Sequence, residues 1–364
     1  MSQSPSSHSG PDYFRATVAS MQGYVPGEQP AADARVIKLN TNENPYPPSP
    51  RVRAAILEEL GDTGERLRLY SDPAALRLRR AAAAHFGFAL PQVLHGNGSD
   101  EVLALLFRAF VEPGERVMYP FPTYTLYETL AHATGALIDS VDFDASFRLP
   151  EALFGSTAKL VLIANPNAPS GNAHPISELA RLAKSLRGGI LVVDEAYAEF
   201  APDNALELAR TLPNVIVTRT FSKSHSLAGM RLGLLFGSEA LVAGIQKVKD
   251  SYNLDRLAIV AGAVALEDHA WMRRNVEQVR ATRIRLAERL TALGLSVLPS
   301  ETNFLLVRFP GKQEAKGAYE FLKQRGILVR YFATRLLEDA IRISVGTDPE
   351  IDALLVELGH YLAA

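Results

Sequence analysis

The 364-residue chain has no cysteine, which excludes disulfides and thiolate metal sites and suits a reducing compartment such as the cytoplasm. It also lacks any apolar run approaching the roughly 20 residues of a membrane-spanning helix. The opening MSQSPSSHSGPD is rich in serine and proline, has no apolar stretch of the secretory-signal kind, and reads as the start of a flexible tail over residues 1–20. An excess of one charge is missing too. Lysine and arginine number 38 against 40 aspartates and glutamates, a net charge of −2, so nothing favours a nucleic acid or an anionic membrane as partner. The eight histidines are scattered, with no pair at helix-face ligand spacing, and no metal is expected. GxxxxGK[ST] is absent and the one glycine-rich candidate lacks the last glycine of GxGxxG, which argues against P-loop and nicotinamide-dinucleotide chemistry.

What is present is the texture of a globular enzyme-sized protein. Hydrophobic residues make up 47% and charged residues 21%, and the length favours a large and a small lobe. Apolar runs alternate with amphipathic stretches, the pattern of an α/β protein with a largely parallel sheet. Strands are expected at 116–120, 159–164, 189–194, 214–218 and 231–237. Helices are expected over 100–111 and through ISELARLAKSLRG, the latter stopped by glycines 188 and 189. Beyond residue 240 a long helical region, roughly 241–292, gives way to short strands and a C-terminal helix, an α+β lobe.

Four stretches end strands with chemically specific residues, and ligands of open α/β sheets bind at such ends. HGNGSDE (95–101) leads into a helix start that suits a phosphate, although Ser99 or Asp100 as an ordinary helix cap explains it equally. GILVVDEAY places Asp194 at the end of a strand apolar enough to be buried, where a carboxylate must be paired or hydrogen-bonded. NPNAPSG (165–171) is a turn-rich exit from the sheet that offers the amide of Asn167. RTFSKSHSLAGMRLG sets Lys223 among Thr220 and Ser222, with Arg231 eight residues on. Lysine, hydroxyls and arginine together suit a phosphate and a carbonyl that condenses with the amine.

With YVPGEQ, LNTNENPYPPSP, LYSDP, PTYTLY, TNF and IRISVGT, these motifs make the chain resemble the fold-type-I pyridoxal-phosphate aminotransferases, within them the histidinol-phosphate aminotransferase group. The resemblance runs from about residue 24 to the C-terminus. It implies a large domain over residues 45–255 with a mixed, mostly parallel sheet, and a smaller α+β domain from 21–44 and 256–364. It implies pyridoxal 5'-phosphate as cofactor, carried by Lys223. Asp194 would then keep the ring nitrogen protonated, and Tyr197 would meet the ring hydroxyl, either with Asn167 through a shifted loop or alone. Tyr124 would stack on the ring. Ser99, Asp100, Thr220, Ser222 and Arg231 would hold the phosphate, joined by Tyr70 from a second subunit of a homodimer. Tyr24, Asn44, Arg330 and Arg342 would bind substrate, with Arg342 as the anion-binding arginine.

One departure stands out. The family often has asparagine where this chain has Ala168, and its amide there contacts the ring hydroxyl; here the asparagine lies one place earlier. The resemblance favours transfer between histidinol phosphate and 2-oxoglutarate or glutamate. An aromatic amino acid aminotransferase, a threonine-phosphate decarboxylase and a silent binding protein on the same fold stay open at this stage.

Overall fold

Aliphatic and β-branched runs build the centre of the molecule. The computed structural model describes residues 13–21, 23, 27–31 and 35–364. Among them the strands are β1 (Ile37–Lys38), β2 (Val93–Asn97), β3 (Arg116–Phe121), β4 (Leu137–Asp142), β5 (Leu160–Ala164), β6 (Ile190–Asp194), β7 (Val215–Thr220) and β8 (Leu232–Phe236). They continue as β9 (Ser296–Val297), β10 (Phe304–Arg308), β11 (Ile327–Leu328), β12 (Arg330–Tyr331) and β13 (Ala340–Ser344). Seven of them form one sheet in the order β2-β8-β7-β6-β5-β3-β4. Only β8 runs against its neighbours.

Side chains alternate between two buried faces of this sheet. Leu160, Leu162, Val192 and Ile216 pack into one cluster, and Val161, Leu191, Val193, Val215 and Val217 into the other. A sheet covered on both faces needs continuous apolar strands, which is why five of the seven stood out in the sequence. The two unexpected members have diluted patterns. β4 is a half-exposed edge strand, and β2 carries His95 and Gly96 among its few residues.

The second sheet has the order β12-β13-β10-β9 and shares a core with residues from the helices His269–Ala292, Lys312–Gln324 and Asp348–Ala363. β1 pairs with β11, which ties the N-terminal segment to this lobe. The expected helical region 241–292 is three helices, Glu239–Gln246, Arg256–Glu267 and His269–Ala292. Asp255 breaks the first gap by accepting a hydrogen bond from the N–H of Ala258 as an N-cap. Arg256–Glu267 also corrects the expected boundary at 256. Residues 258–266 are all buried, and most of them join the core of the larger sheet. A helix apolar on every side must be surrounded, so the smaller lobe begins after it.

Two smaller differences follow from local chemistry. Ile176–Ser185 ends at the extended Leu186, before the glycines at 188 and 189. Of the expected tail, residues 1–12 lie outside the described residues, whereas Ala16–Ser20 is a short helix beside Leu126–Thr134, with the Arg15 guanidinium donating to the Ala133 carbonyl at 2.7 Å. Among the described residues no helix is long and apolar enough to cross a membrane.

The alternation along β6 and β7 continues past the apolar residues. Asp194 and Thr218 share one face, while Glu195 and Arg219 share the other. Arg219 lies 2.7 Å from Glu195 and 2.6 Å from Glu199, with all three side chains at most 9% exposed. This triad fastens the segment after β6 to β7 directly behind Asp194. Arg219→Met leaves two carboxylates buried without their cation and should destabilise the protein by about 3–5 kcal/mol. The check is a lower denaturant midpoint at unchanged slope; an unmoved midpoint contradicts it.

Candidate active site

Because β8 is reversed, its start lies at the edge where the parallel strands end. Arg231, just before β8, thus joins residues that leave β2, β6 and β7 at the same edge. Two glycines allow the approach. Gly98 has φ +82°, and a Cβ there would collide with the Arg231 guanidinium. A Cβ on Gly233 would lie 2.5 Å from the Gly98 carbonyl carbon and 2.6 Å from the Ser99 nitrogen. Arg231 itself adopts the left-handed region at φ 51°, unusual for a branched-free but bulky residue and typical of sites held in place by their surroundings.

An anion cup results. Thr220 donates to Ser222 at 3.0 Å, and the Arg231 guanidinium reaches the Ser222 hydroxyl at 3.4 Å. Facing them is the first turn of the helix Gly98–Phe110, whose N–H groups have no carbonyl within the helix. Asp100 pairs with Arg231 at 3.1 Å and accepts the Tyr124 hydroxyl at 2.9 Å. Its carboxylate would repel a phosphate, so what Asp100 offers one is its backbone N–H, and its side chain orients Tyr124 and Arg231 instead.

Asp194 is the most constrained group. It is 4% exposed; one oxygen accepts the Tyr127 hydroxyl at 2.9 Å and the other the Thr218 hydroxyl at 3.0 Å. Burial pushes its pKa up to about 6 against the pull of these two donors. No cation among the described residues pairs with it.

Lys223 is half-buried, and its ammonium donates to the Thr41 carbonyl at 3.1 Å and stands 5.9 Å from the centre of the Tyr197 ring. Burial, then the nearby Arg342 charge, lowers its pKa to about 8, with Glu43 and Asp100 opposing. Tyr197 is buried, with its ring edge-on to Phe304, and its oxygen accepts from the Asn42 amide at 2.9 Å.

Arg330 and Arg342 are direct register partners across β12 and β13. Two cationic side chains therefore stand on one face of this strand pair. Both guanidiniums border the Phe332 ring, at 5.5 and 5.4 Å, and Arg342 also donates to the Asn40 carbonyl at 3.1 Å.

Two expected contacts take other roles. Both donors of the Asn167 amide are spent on the Pro122 carbonyl and Ser170, and its oxygen accepts from Thr123, so this side chain frames the loop rather than facing a cofactor. The Asn44 amide donates to the carbonyls of Lys223 and Ser224, which holds the lysine loop and leaves it no donor for substrate. Tyr70 is 80% exposed and stacks on Tyr252 at 4.4 Å. Tyr24 lies outside the described residues. Sequence reasoning missed Tyr127, Thr218 and Asn42. Tyr127 lies in the first turn of the helix Leu126–Thr134, three residues after Tyr124 and edge-to-face with it at 5.8 Å, and Thr218 is the register partner of Asp194, so strand pairing would have found it.

The lowered lysine has a direct consequence. Reductive methylation of Lys223 in the protein free of ligand should rise with pH through a midpoint of about 8, because only the neutral amine attacks an aldehyde. Mass mapping of the labelled peptide reads it; a midpoint at the ordinary lysine value contradicts the geometry.

Comparison with known proteins gives the family. The family model for aminotransferase class I and II matches residues 34–358. Histidinol-phosphate aminotransferase 2 of Burkholderia mallei is 45% identical over 97% of this chain and 99% of its own length. Histidinol-phosphate aminotransferase 1 of Trichormus variabilis is 46% identical over 96% and 99%. The crystal structure of histidinol-phosphate aminotransferase from Sinorhizobium meliloti in complex with pyridoxal-5'-phosphate superposes with a TM-score of 0.89 at 28% identity, covering 98% of this chain and 99% of that one. The chain belongs to the class I and II aminotransferase family.

Proposed function

We propose that the protein is a pyridoxal-phosphate-dependent aminotransferase that moves an amino group between histidinol phosphate and 2-oxoglutarate. The observation that carries the cofactor is Asp194, a buried carboxylate held by neutral donors with no cation partner among the described residues. A protonated ring nitrogen is the partner such a group requires. The cup of Thr220, Ser222, Arg231 and the N–H groups at Ser99 and Asp100 suits the cofactor phosphate. Tyr124, anchored through its hydroxyl, has the ring to stack on the heterocycle.

When bound, the cofactor supplies an aldehyde for an amine to condense with and a ring that draws electrons from the substrate carbon. The chain's own residues do the rest. Lys223 would hold the cofactor through its aldehyde carbon, and its amine, when free, is the group that would take a proton from the substrate carbon and deliver one to the former aldehyde carbon. A pKa of about 8 leaves that amine able to act as a base near neutrality. Asp194 keeps the ring nitrogen's proton in place, and Tyr197 meets the ring hydroxyl.

The substrate reading rests on the opposed arginines. A dianionic phosphate neutralises both, whereas a single carboxylate needs one. The relatives at 45% identity carry the histidinol-phosphate name, which supports the same reading. A homodimer completes the cup through Tyr70, supported by its exposure and by that of Leu57, Leu67, Leu69 and Tyr252. A cytoplasmic setting is part of the same proposal, and a chain without cysteine suits that reducing compartment.

A substrate panel tests this. Histidinol phosphate should be turned over with 2-oxoglutarate far better than phenylalanine or tyrosine; a preference for the aromatic amino acids overturns the assignment. Arg330→Ala should raise KM for histidinol phosphate by about 10–100-fold, the loss of one charge-assisted contact, with a smaller effect on glutamate. Equal effects on the two would remove Arg330 from the phosphate end. Sedimentation equilibrium at working concentration should give a dimer, and a monomer with full activity would remove Tyr70 from the site.

A further inference from the structure

Asn42 lies in the strap that crosses from the small lobe to the lysine loop, 2% exposed and with φ 56°. Asparagine tolerates this left-handed conformation better than most residues. All of its polar groups are engaged. Its N–H donates to the Ser344 hydroxyl at 2.9 Å, that hydroxyl donates to Asn42 Oδ1 at 2.8 Å, and Asn303 donates to its carbonyl at 2.9 Å. Its Nδ2 donates to the Tyr197 oxygen at 2.9 Å.

These contacts determine which way the amide points. The Ser344 hydroxyl accepts from the Asn42 N–H and gives its single proton to Oδ1, and with the amide in this orientation the NH₂ group faces Tyr197. The Tyr197 oxygen is therefore an acceptor in this bond, and the phenol's one proton is free for an acceptor elsewhere. In the neighbouring loop, position 168 offers only a methyl group, and Ala168 packs in the same small cluster as Tyr197 and Phe304. The adjacent amide, Asn167, is spent on the Pro122 carbonyl and the Ser170 hydroxyl.

We propose that Asn42 is a positioning residue: by donating to the Tyr197 oxygen it commits the phenol's proton to the cofactor's ring hydroxyl, compensating for the missing amide at position 168. This rests on the cofactor assignment above. A donor at the ring hydroxyl stabilises its ionised form and lowers the proton affinity of the group conjugated with it. Asn42→Asp keeps shape and left-handed backbone but turns the donor into an acceptor, so the phenol's proton is drawn away from the cofactor. Ser344 ties the same amide to β13, two residues beyond Arg342, so the strap joins the substrate arginine's strand to the cofactor's hydroxyl.

The test uses holoenzyme and the variants Asn42→Asp, Asn42→Gly, Tyr197→Phe and the Asn42→Asp/Tyr197→Phe double variant. Visible absorbance of the bound cofactor is titrated against pH, and cofactor dissociation is measured by equilibrium dialysis. Asn42→Asp should move the absorbance midpoint up by about one pH unit and weaken cofactor binding about tenfold. Asn42→Gly, which also accepts the left-handed backbone, should shift the midpoint in the same direction and covers a folding failure of the first variant. In the Tyr197→Phe background Asn42→Asp should add nothing, because the partner it acts through is gone. An unmoved midpoint in both single Asn42 variants, or a further shift in the double variant, overturns the proposal. Borohydride reduction of the wild type with peptide mapping separates the two levels. Cofactor fixed on Lys223 with an unmoved midpoint removes only the role of Asn42; no cofactor on Lys223 removes the site assignment itself.

Discussion

A carboxylate placed inside the protein at the end of a parallel strand is the constraint around which this molecule is arranged. Asp194 could relieve the cost of burial by taking up a proton, and burial alone drives it in that direction. Two hydroxyls, one on each oxygen, resist it. Both come from places the fold determines: Tyr127 from the helix after β3, and Thr218 from the register partner on β7. The remaining demand, a positive partner, is left for a ligand.

The surroundings of that group follow from sheet geometry. Strand alternation sends Asp194 and Thr218 to one face and Glu195 and Arg219 to the other, so a ligand-facing carboxylate and a structural ion-pair triad occupy consecutive residues without competing. The reversal of β8 delivers Arg231 to the edge where β2, β6 and β7 end. Glycines at 98 and 233 permit the backbone approach that closes the anion cup. The strap at residues 40–44 adds the second lobe. Its carbonyls receive Arg342 and Lys223, and its asparagines hold Tyr197 and the lysine loop. Arg342, Lys223 and Tyr197 thus lean on five consecutive residues.

Much of this was legible in the sequence because chemistry and periodicity coincide there. Five doubly covered strands are continuous apolar runs, and Lys223, Asp194, Tyr197 and Arg231 sit just beyond such runs. Edge strand β4 and the short β2 were not legible, since a half-exposed or glycine-containing strand carries little pattern. The helix Arg256–Glu267 was assigned to the wrong lobe because its all-round apolar character says that it is buried, not in which core. Thr218, Tyr127 and Asn42 were missed for a common reason: their roles come from strand register or long-range contact, which a single sequence does not display. Asn167 and Asn44 show the reverse. Each has the residue type expected of a ligand contact, but Asn44 spends its amide on the carbonyls of Lys223 and Ser224, and Asn167 on the Pro122 carbonyl and the Ser170 hydroxyl.

The central claim is that Asp194 keeps a bound heterocycle cationic. The nitrogen-15 chemical shift of ring-labelled pyridoxal phosphate on the protein measures that charge directly. A protonated pyridinium shift at neutral pH, collapsing to that of a neutral pyridine in Asp194→Ala, is the predicted result. A neutral ring in the wild-type protein would contradict the account.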